Sequence, residues 1–319
     1  MMPLRQNFDL FHDIDLSCTD QLREIGIRGE AKVVPGGLEI KFAEFNSYTL
    51  GALGSMPVKG LDFREVKLPK ISDFSHFPIS SLSVPAGSTF EISDLNCFQL
   101  KTFNAEGILG EDFDELSNHP LEFLNLARTK VKDLSFCREA QLESLNLEQC
   151  EISNLSQLGS QKKLRELNLF KCKIEEISTL EESPLENLNL SGNPISNISL
   201  LASCPLKELE MRATRVTSLD PLRNCPLENL QLPGSPVSFL GSISSCPIQK
   251  LNIVGLKIED LACLQQMPLE SLALSPDKLS TTDFEIIQKL NLDYLLGPGD
   301  PKDQRSSEFF EKYSPYFQT

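Results

Sequence analysis

Apolar residues recur along most of the chain with a period of 21 residues. Eleven units align on their first apolar residue, and nine of the ten intervals between these markers are 21 residues long. The interval from Leu142 to Leu164 is 22 residues. A constant period predicts a stack of similar structural units, which we call repeats 1 to 11, with the marker residue as position 1. The markers are Val58, Ile79, Leu100, Leu121, Leu142, Leu164, Leu185, Leu206, Leu227, Ile248 and Leu269.

Each repeat contains one short segment with the alternation of a β-strand. Positions 4 and 6 are apolar and enclose a polar residue in most repeats, as Leu188 and Leu190 enclose Asn189. Because side chains alternate across a strand, both apolar residues face one side, toward the predicted core. A small or polar residue at position 9 ends the strand, and examples are Thr129, Cys150, Cys172, Asn193, Thr214 and Ser235.

The second half of each repeat predicts a turn that returns the chain to the next strand. An apolar pair, such as Val131 and Leu134, is followed by Ser or Asp, which we expect to cap a short helical or 3₁₀ turn. These capping candidates are Ser135, Ser156, Ser178, Ser199 and Asp220. Proline directly precedes the marker in eight of the eleven repeats and favours an extended entry into the next strand.

The repeats, with their L-x-x-L-x-L pattern, resemble the short leucine-rich repeats of bacterial, internalin-like proteins over residues 58–279. The resemblance implies an α/β fold, a right-handed leucine-rich repeat solenoid with a concave parallel β-sheet and short 3₁₀ or helical turns on the convex side. Two segments, His119 to Ser135 and Ser307 to Tyr313, are also similar to the C-terminal repeat arrays of planctomycete-type serine/threonine kinases. The catalytic motifs of such kinases are absent from this sequence.

The regions outside the repeats are predicted to cover the ends of the core. Residues 1–57 do not repeat, and we expect an N-terminal cap with a β-hairpin within residues 33–42. Residues 58–279 form the array of about eleven units, of which the first are degenerate. Residues 280–319 are expected to form a C-terminal helical cap, in which Thr282 and Glu285 make a capping box.

The charge of the chain narrows the classes of partner. Asp and Glu number 45 against 30 Lys and Arg, which leaves a formal net charge of −15. This balance argues against a nucleic acid or an anionic membrane surface as partner. No apolar run approaches the roughly 18 residues of a membrane span, and the N-terminal sequence shows no signal-peptide pattern. With an odd number of cysteines, nine, these features predict a cytoplasmic location.

The sequence contains few residues in patterns typical of catalysis or metal binding. Cys204, Cys225 and Cys246 recur with the repeat period, so we interpret them as stacked structural side chains rather than as disulfides or metal ligands. The histidines, His12, His76 and His119, are scattered, and no nucleophile, phosphate-binding or zinc motif occurs. We therefore expect no enzymatic activity, no catalytic residues, no metal and no cofactor.

Positions 3, 5 and 7 point outward from the predicted sheet. Asparagine occupies position 5 in six of the eleven repeats, and we interpret this row first as a stabilising ladder of amides and second as a ligand surface. Phe123, Phe170 and Arg212 stand among small polar residues and are candidate binding anchors. Alternatively, they are ordinary surface residues or pack against a cap.

One rim of the sheet is basic although the whole chain is acidic. This rim carries Arg128, Lys130, Lys171, Lys173 and Arg215, continues with Lys257 and Lys278, and is interrupted by Glu151. The hypothesis is that it attracts an acidic partner surface, and the alternative is a solvated edge.

The function predicted from the sequence is a non-catalytic module, expected to be a monomer, that binds a protein or peptide in bacterial signalling or scaffolding. The alternatives are the repeat portion of a larger serine/threonine kinase, or a secreted adhesin.

Overall fold

The structure, a computed structural model, describes residues 16–54, 56–181 and 183–313. The first 15 residues, which include His12, lie outside the described residues, as do residues 314–319. The chain forms two compact units that divide between Asn168 and Leu169. Both units consist of the repeated strand and turn segments that the sequence predicts.

The first unit starts with α1 (Leu16–Glu24) and an antiparallel hairpin, followed by a series of parallel strands. The hairpin strands are β1 (Gly29–Val34) and β2 (Gly37–Phe42), and α2 (Ser47–Leu53) follows them. From β2 onward each strand pairs in parallel with the next strand of the chain. These strands are β3 (Val58–Asp62), β4 (Ser81–Ser83), β5 (Thr102–Asn104), β6 (Phe123–Asn125), β7 (Ser144–Asn146) and β8 (Glu166–Asn168).

The second unit continues the same plan and adds a strand beyond the repeats. Its strands pair in parallel in chain order. They are β9 (Asn187–Asn189), β10 (Glu208–Glu210), β11 (Asn229–Gln231), β12 (Lys250–Asn252), β13 (Ser271–Ala273) and β14 (Tyr294–Leu296). Strand β14 is not predicted by the repeat pattern, because α3 (Thr281–Gln288) is inserted before it and the 21-residue period is lost. Helix α4 (Ser306–Tyr313) follows and buries Phe309.

The core lies on the side of each sheet that positions 4 and 6 face. Leu124 and Leu126 are fully buried in the first unit, as are Leu188 and Leu190 in the second, which confirms the predicted alternation. Each such leucine contributes about 1.5–3 kcal/mol relative to exposure. The N-terminal end of the first core is aromatic, because the rings of Phe42 and Phe63 stack with centroids 5.1 Å apart.

A short 3₁₀ turn follows the strand in each repeat. In the first unit they are Ile71–Phe74, Ile92–Cys97, Asp114–Asn118, Ser135–Cys137 and Ser156–Leu158. In the second unit they are Ser178–Leu180, Ser199–Ser203, Asp220–Leu222, Gly241–Ile243, Ala262–Gln266 and Pro276–Lys278. The predicted 3₁₀ character is thereby confirmed.

The predicted caps of these turns are wrong by two residues. Ser135 and Ser156 occupy the first turn position and donate their backbone N–H to the side chains of Asp133 (2.7 Å) and Asn154 (2.6 Å). Ser199 likewise donates to Asn197 at 2.9 Å. The turns are therefore capped by the side chain at position 13. A side-chain acceptor two residues before the first free backbone N–H of the turn reaches that N–H without strain.

Ser178 and Asp220 are also first residues of their turns rather than caps. The backbone N–H of Asp220 donates to the hydroxyl oxygen of Ser218 at 3.2 Å. The capping box of α3 is formed by Ser280 and Asp283 instead of Thr282 and Glu285, because the helix begins at Thr281.

A left-handed residue follows the strand in repeats 3 to 10. The φ angle at position 8 lies between 53° and 82°. Glycine tolerates this conformation, whereas other residues lose roughly 1–2 kcal/mol there. The bend aims the backbone N–H at the next repeat, as in Ala213 to the carbonyl of Pro233 at 2.8 Å. The residues are Gly107, Arg128, Gln149, Lys171, Gly192, Ala213, Gly234 and Gly255.

Position 9 then closes the bend with a buried side-chain hydrogen bond. Asn193 is 1% exposed, and its Nδ2 donates to the carbonyls of Leu169 (2.7 Å) and Leu190 (2.9 Å). Its Oδ1 accepts the backbone N–H of Ile174 at 3.0 Å. Thr214, at the same position of the next repeat, donates to its own position 6 carbonyl at 3.0 Å. In these repeats the polar side chain at position 9 supplies hydrogen-bond partners to buried backbone carbonyls, whereas Ile108 and Leu256 occupy the same position in repeats 3 and 10 as buried apolar residues.

We expect Ala213→Gly to stabilise the protein by about 0.5–1 kcal/mol. The substitution relieves roughly 1–2 kcal/mol of left-handed strain and loses roughly 0.4–1 kcal/mol through the more flexible unfolded chain. Gly255→Ala, at the same position and with nothing within 4 Å of an added Cβ, should give the opposite sign. The urea midpoint followed by circular dichroism measures both. Ala262→Gly, in a right-handed 3₁₀ turn, is the matched control and should only destabilise. Stabilisation by all three glycine or alanine changes would contradict the strain explanation.

We expect Asn193→Ala to destabilise the protein by about 2–3 kcal/mol, because two buried carbonyls and one buried N–H lose their partner. Asn193→Thr should lose about half as much, since Thr214 shows that a hydroxyl at this position keeps one bond. Urea denaturation of the three proteins measures the order. Equal losses for the two variants would show that the hydrogen bonds at position 9 contribute little.

Candidate partner-binding surfaces

The predicted anchor Phe123 belongs to the first unit. It lies in β6 on the solvent-facing side of the sheet, between its register partners Thr102 and Ser144. The ring is half-buried. Small neighbours on both sides leave one face of the ring available to an apolar group of a partner.

The other two predicted anchors, Phe170 and Arg212, belong to the second unit. Phe170 is half-buried, and the Nζ atom of Lys171 lies 5.2 Å from its ring centroid. The Nη2 atom of Arg212 donates to Gln231 Oε1 at 2.8 Å. Among the described residues its Nε has no hydrogen-bond partner, although that atom is buried. The Arg212 side chain as a whole is half-buried, and its buried Nε atom is out of reach of a binding partner.

The side-chain amides of the asparagine row at position 5 form hydrogen bonds within the chain. Asn125 Nδ2 donates to Asn104 Oδ1 at 3.1 Å, which confirms the predicted amide contact for this pair. Asn252 Nδ2 likewise donates to Gln231 Oε1 at 3.0 Å, whereas Asn189 donates to the carboxylate of Glu210 at 3.1 Å. Although they lie on the solvent-facing side, Asn104 and Asn125 are each only 2% exposed. The row acts in the structure as a stabilising element.

In the first unit the basic rim is neutralised. Arg128 lies between two carboxylates, with 2.9 Å from Nη1 to Glu106 Oε1 and 3.5 Å from Nη2 to Glu148 Oε1. Lys130 pairs with Glu111 at 3.1 Å. These two predicted site residues thus have intramolecular partners, which the one-dimensional sequence pattern did not reveal.

In the second unit the rim residues are exposed and have a different environment. Lys171, Lys173 and Arg215 are all exposed, and no ion pair joins any of them to a carboxylate in the part of the chain that the structure describes. Lys171 faces the ring of Phe170 instead. The excess positive charge of the rim is therefore concentrated in this unit.

Comparison with solved structures identifies the fold. An internalin, InlF, from Listeria monocytogenes has a TM-score of 0.59 and 21% identity over 81% of this chain and 84% of that chain. The fold is a leucine-rich repeat solenoid. No protein-family model matches the sequence, and a comparison with curated proteins finds no match either.

Two plant structures show the same fold over part of their length. The ectodomain of the Arabidopsis thaliana receptor kinase GASSHO1/SCHENGEN3, in complex with CASPARIAN STRIP INTEGRITY FACTOR 2, has a TM-score of 0.54 and 18% identity over 77% of this chain and 36% of that chain. The Arabidopsis receptor kinase HAESA, in complex with the peptide hormone IDA and the co-receptor SERK1, has a TM-score of 0.52 and 15% identity, covering 79% and 56%. At these identities the likeness establishes the solenoid fold alone.

The solenoid's first unit contains a cavity of about 690 Å³ that the sequence analysis did not single out. Arg23, Arg28 and Lys41 line it. Arg28 pairs with Glu44 at 3.2 Å and Lys41 with Glu65 at 2.8 Å. The cations around this cavity are already compensated, so the cavity does not attract an anion as strongly as its lining suggests.

The cysteine stack lies inside the second unit of the solenoid. The thiols of Cys204, Cys225 and Cys246 are buried and free, and the last two donate to the carbonyls of Leu201 (3.5 Å) and Leu222 (3.3 Å). Burial raises the pKa of the Cys225 thiol to about 11, so it stays protonated and weakly nucleophilic at neutral pH.

The described residues of the solenoid contain neither a metal-binding cluster nor a membrane-spanning helix. Within residues 16–54, 56–181 and 183–313, no group of three or more His, Cys, Asp or Glu side chains is arranged to hold a metal ion. In the same ranges no helix combines the length and apolar character that crossing a bilayer requires.

His119 occupies the repeat position that carries cysteine in later repeats. It is 4% exposed, its Nδ1 accepts the backbone N–H of Leu100 at 3.4 Å, and its Nε2 is buried without a partner among the described residues. Burial lowers the pKa of this imidazole. The geometry is that of a neutral structural histidine.

We expect His119 to make the folded protein less stable as the pH falls below about 6.5. The unfolded chain takes up a proton there, while the buried imidazole resists protonation. His119→Gln should reduce this loss, since Gln161 at the same repeat position accepts the N–H of Leu142 at 3.3 Å. Urea midpoints at pH 7.5 and 5.5 measure it. His76→Gln, at an exposed ring, is the control. An unchanged pH dependence in the His119 variant would contradict the assignment.

Proposed function

We propose that this solenoid is a non-catalytic module that binds a protein or peptide partner with acidic groups. The observation that carries the proposal is the cluster of exposed cations Lys171, Lys173 and Arg215 in the second unit, which have no ion-pair partner among the described residues. The chain as a whole has a net charge of −15, so the cluster is a local exception.

Local charge rather than net charge governs such an encounter at physiological salt. The Debye length is about 8 Å there, so the acidic residues elsewhere on the chain are largely screened from a group that contacts the rim. A rim cation that has no carboxylate partner within the described residues loses no existing ion pair on binding. Lys171, Lys173 and Arg215 are therefore better candidates than Arg128 and Lys130, whose carboxylate partners would have to be displaced.

The sheet face supplies the second part of the proposed interface. Phe170 adjoins Lys171, so an aromatic ring and a cation are presented together in the second unit. Arg212 adds a half-buried guanidinium side chain at the outward position 7 of the same unit. Phe123 is the corresponding aromatic residue of the first unit. Aromatic residues and arginine contribute disproportionately to protein interfaces, which supports Phe123 as an anchor on the first unit and Phe170 and Arg212 as anchors on the second.

The proposed context is a monomeric scaffold or signalling component in a bacterial cytoplasm. The free, buried thiols of Cys204, Cys225 and Cys246 support a reducing compartment, since they are not joined although they recur in adjacent repeats. The resemblance of residues 119–135 and 307–313 to kinase-associated arrays supports a signalling role.

The test captures partners by photo-crosslinking in lysate of the source organism, identifies them by mass spectrometry and titrates the purified partner by calorimetry. We expect charge reversal at Lys171, Lys173 and Arg215 to glutamate to weaken binding at least tenfold, because three attractive charges become repulsive. The variant Phe123→Ala, Phe170→Ala, Arg212→Glu should weaken it at least fivefold.

The matched control reverses three exposed lysines away from the interface, Lys163, Lys289 and Lys302. It keeps the same net charge as the rim variant, so it separates local from overall charge. Circular dichroism verifies the folding of every variant. Equal affinity of the rim variant and the control would show that the rim is not the interface. A purified partner that binds all variants like the parent would refute both the rim and the sheet face as binding surfaces.

A further inference from the structure

Cations and prolines alternate at one position of the second unit. Position 10 of repeats 6 to 10 is occupied in turn by Lys173, Pro194, Arg215, Pro236 and Lys257. The three cations are exposed, as is Pro236, while Pro194 is partly exposed. We call these five residues the cation–proline ladder. Its cations are separated by two repeats each, and every intervening repeat presents a proline.

The backbone of the ladder is held at the spacing of the strands. Arg215 N–H donates to the carbonyl of Ile195 in the preceding repeat at 2.8 Å. Two residues beyond Lys257, Glu259 N–H donates to the carbonyl of Ser238 at 2.9 Å. These bonds continue the inter-strand pairing beyond the strand ends. Neighbouring strands lie about 4.8 Å apart, so successive cations of the ladder stand about 9.6 Å apart.

The surroundings of the ladder contain little that competes for its charge. Positions 8 and 12 of the three central repeats are uncharged, and they are Gly192, Ser196, Ala213, Thr217, Gly234 and Ser238. The acidic side chains nearest in sequence are Glu175 and Glu259 at its two ends, and Glu259 accepts the hydroxyl of Ser238 at 2.8 Å. No ion pair involves Lys173, Arg215 or Lys257 within the described ranges.

A spacing of about 9.6 Å matches one turn of a polyproline II helix, which has three residues per turn and rises about 3.1 Å per residue, or about 9.3 Å per turn. In that conformation every third side chain lies on one face. In a β-strand, residue i+3 points to the face opposite residue i. Residue i+2 points to the same face as residue i but lies only about 6.8 Å from it, which is shorter than the spacing of the ladder cations. A polyproline II segment is therefore the extended peptide whose side chains can follow the ladder.

We propose that the cation–proline ladder binds a polyproline II segment of an acidic protein, with a carboxylate at every third residue. Each carboxylate pairs with Lys173, Arg215 or Lys257, and the residues between them lie against Pro194 and Pro236. This inference rests on the proposed function and names the class of partner. Single-stranded nucleic acid is a poorer match, because its phosphates recur at every nucleotide and the chain's net charge of −15 opposes a polyanion.

The test uses two synthetic nonapeptides of identical composition, acetylated and amidated at their ends and labelled with a fluorophore. One is Glu-Pro-Pro repeated three times, which places the carboxylates on one face. The other is Glu-Pro-Glu-Pro-Glu-Pro-Pro-Pro-Pro, which spreads them over different faces. Fluorescence anisotropy with the full chain at 50 mM salt should give at least fivefold tighter binding of the first peptide, and 300 mM salt should weaken it strongly.

Charge reversal places the binding on the ladder. Lys173→Glu, Arg215→Glu, Lys257→Glu should weaken binding of the regular peptide at least tenfold. The control variant Lys163→Glu, Lys289→Glu, Lys302→Glu has the same net charge and should bind like the parent. Circular dichroism checks that both variants are folded.

The outcomes separate this inference from the proposed function. Equal binding of both peptides would overturn the spacing requirement, even where the captured partner still depends on the rim. Lack of binding of either peptide, or loss in both reversal variants alike, would also overturn the ladder as a site. Tighter binding of a nine-nucleotide oligouridine than of the regular peptide would show a nucleic-acid surface instead. If the ladder succeeds but the captured partner ignores the rim, the proposed function alone fails.

Discussion

Hydrogen bonding between consecutive parallel strands is the constraint on which the rest of the structure depends. The strands β4 to β13 are only three residues long. A strand of that length is not stable alone, so each repeat requires its neighbour. The left-handed residue at position 8 and the buried polar residue at position 9 extend the pairing beyond the strand ends, as Ala213 and Asn193 show. The 21-residue period in the sequence reflects the need of each strand to pair with the strand of the neighbouring repeat.

Regular stacking turns each repeat position into a row of side chains about 4.8 Å apart. What such a row does depends on whether its members can satisfy one another. Amides at position 5 are both donors and acceptors, so Asn104 and Asn125 bond directly and are withdrawn from solvent. Cations at position 10 cannot bond each other, and the prolines between Lys173, Arg215 and Lys257 offer no acceptor side chain. The first kind of row stabilises the solenoid, whereas the second remains available to a partner.

The same principle explains why the two units differ along the basic rim. Arg128 meets Glu106 and Glu148, which belong to the repeats before and after its own. The second unit has Ser191, Pro233 and Val254 at the positions equivalent to these glutamates, and none of them is acidic. The rim charge is thus compensated where the flanking repeats carry carboxylates and exposed where they do not.

Much of the fold could be predicted from the sequence, because alternation at positions 4 and 6 is a local property and its period shows that the repeats are equivalent. Leu188 and Leu190 are assigned to the core on this basis alone. The strand β14 and the cap at Asp133 escaped prediction, since the first departs from the period and the second depends on where a turn begins. Whether a rim cation such as Arg128 or Lys173 has a partner was decided by the tertiary structure. Ion pairing joins side chains about twenty residues apart, and only the folded chain determines their distance.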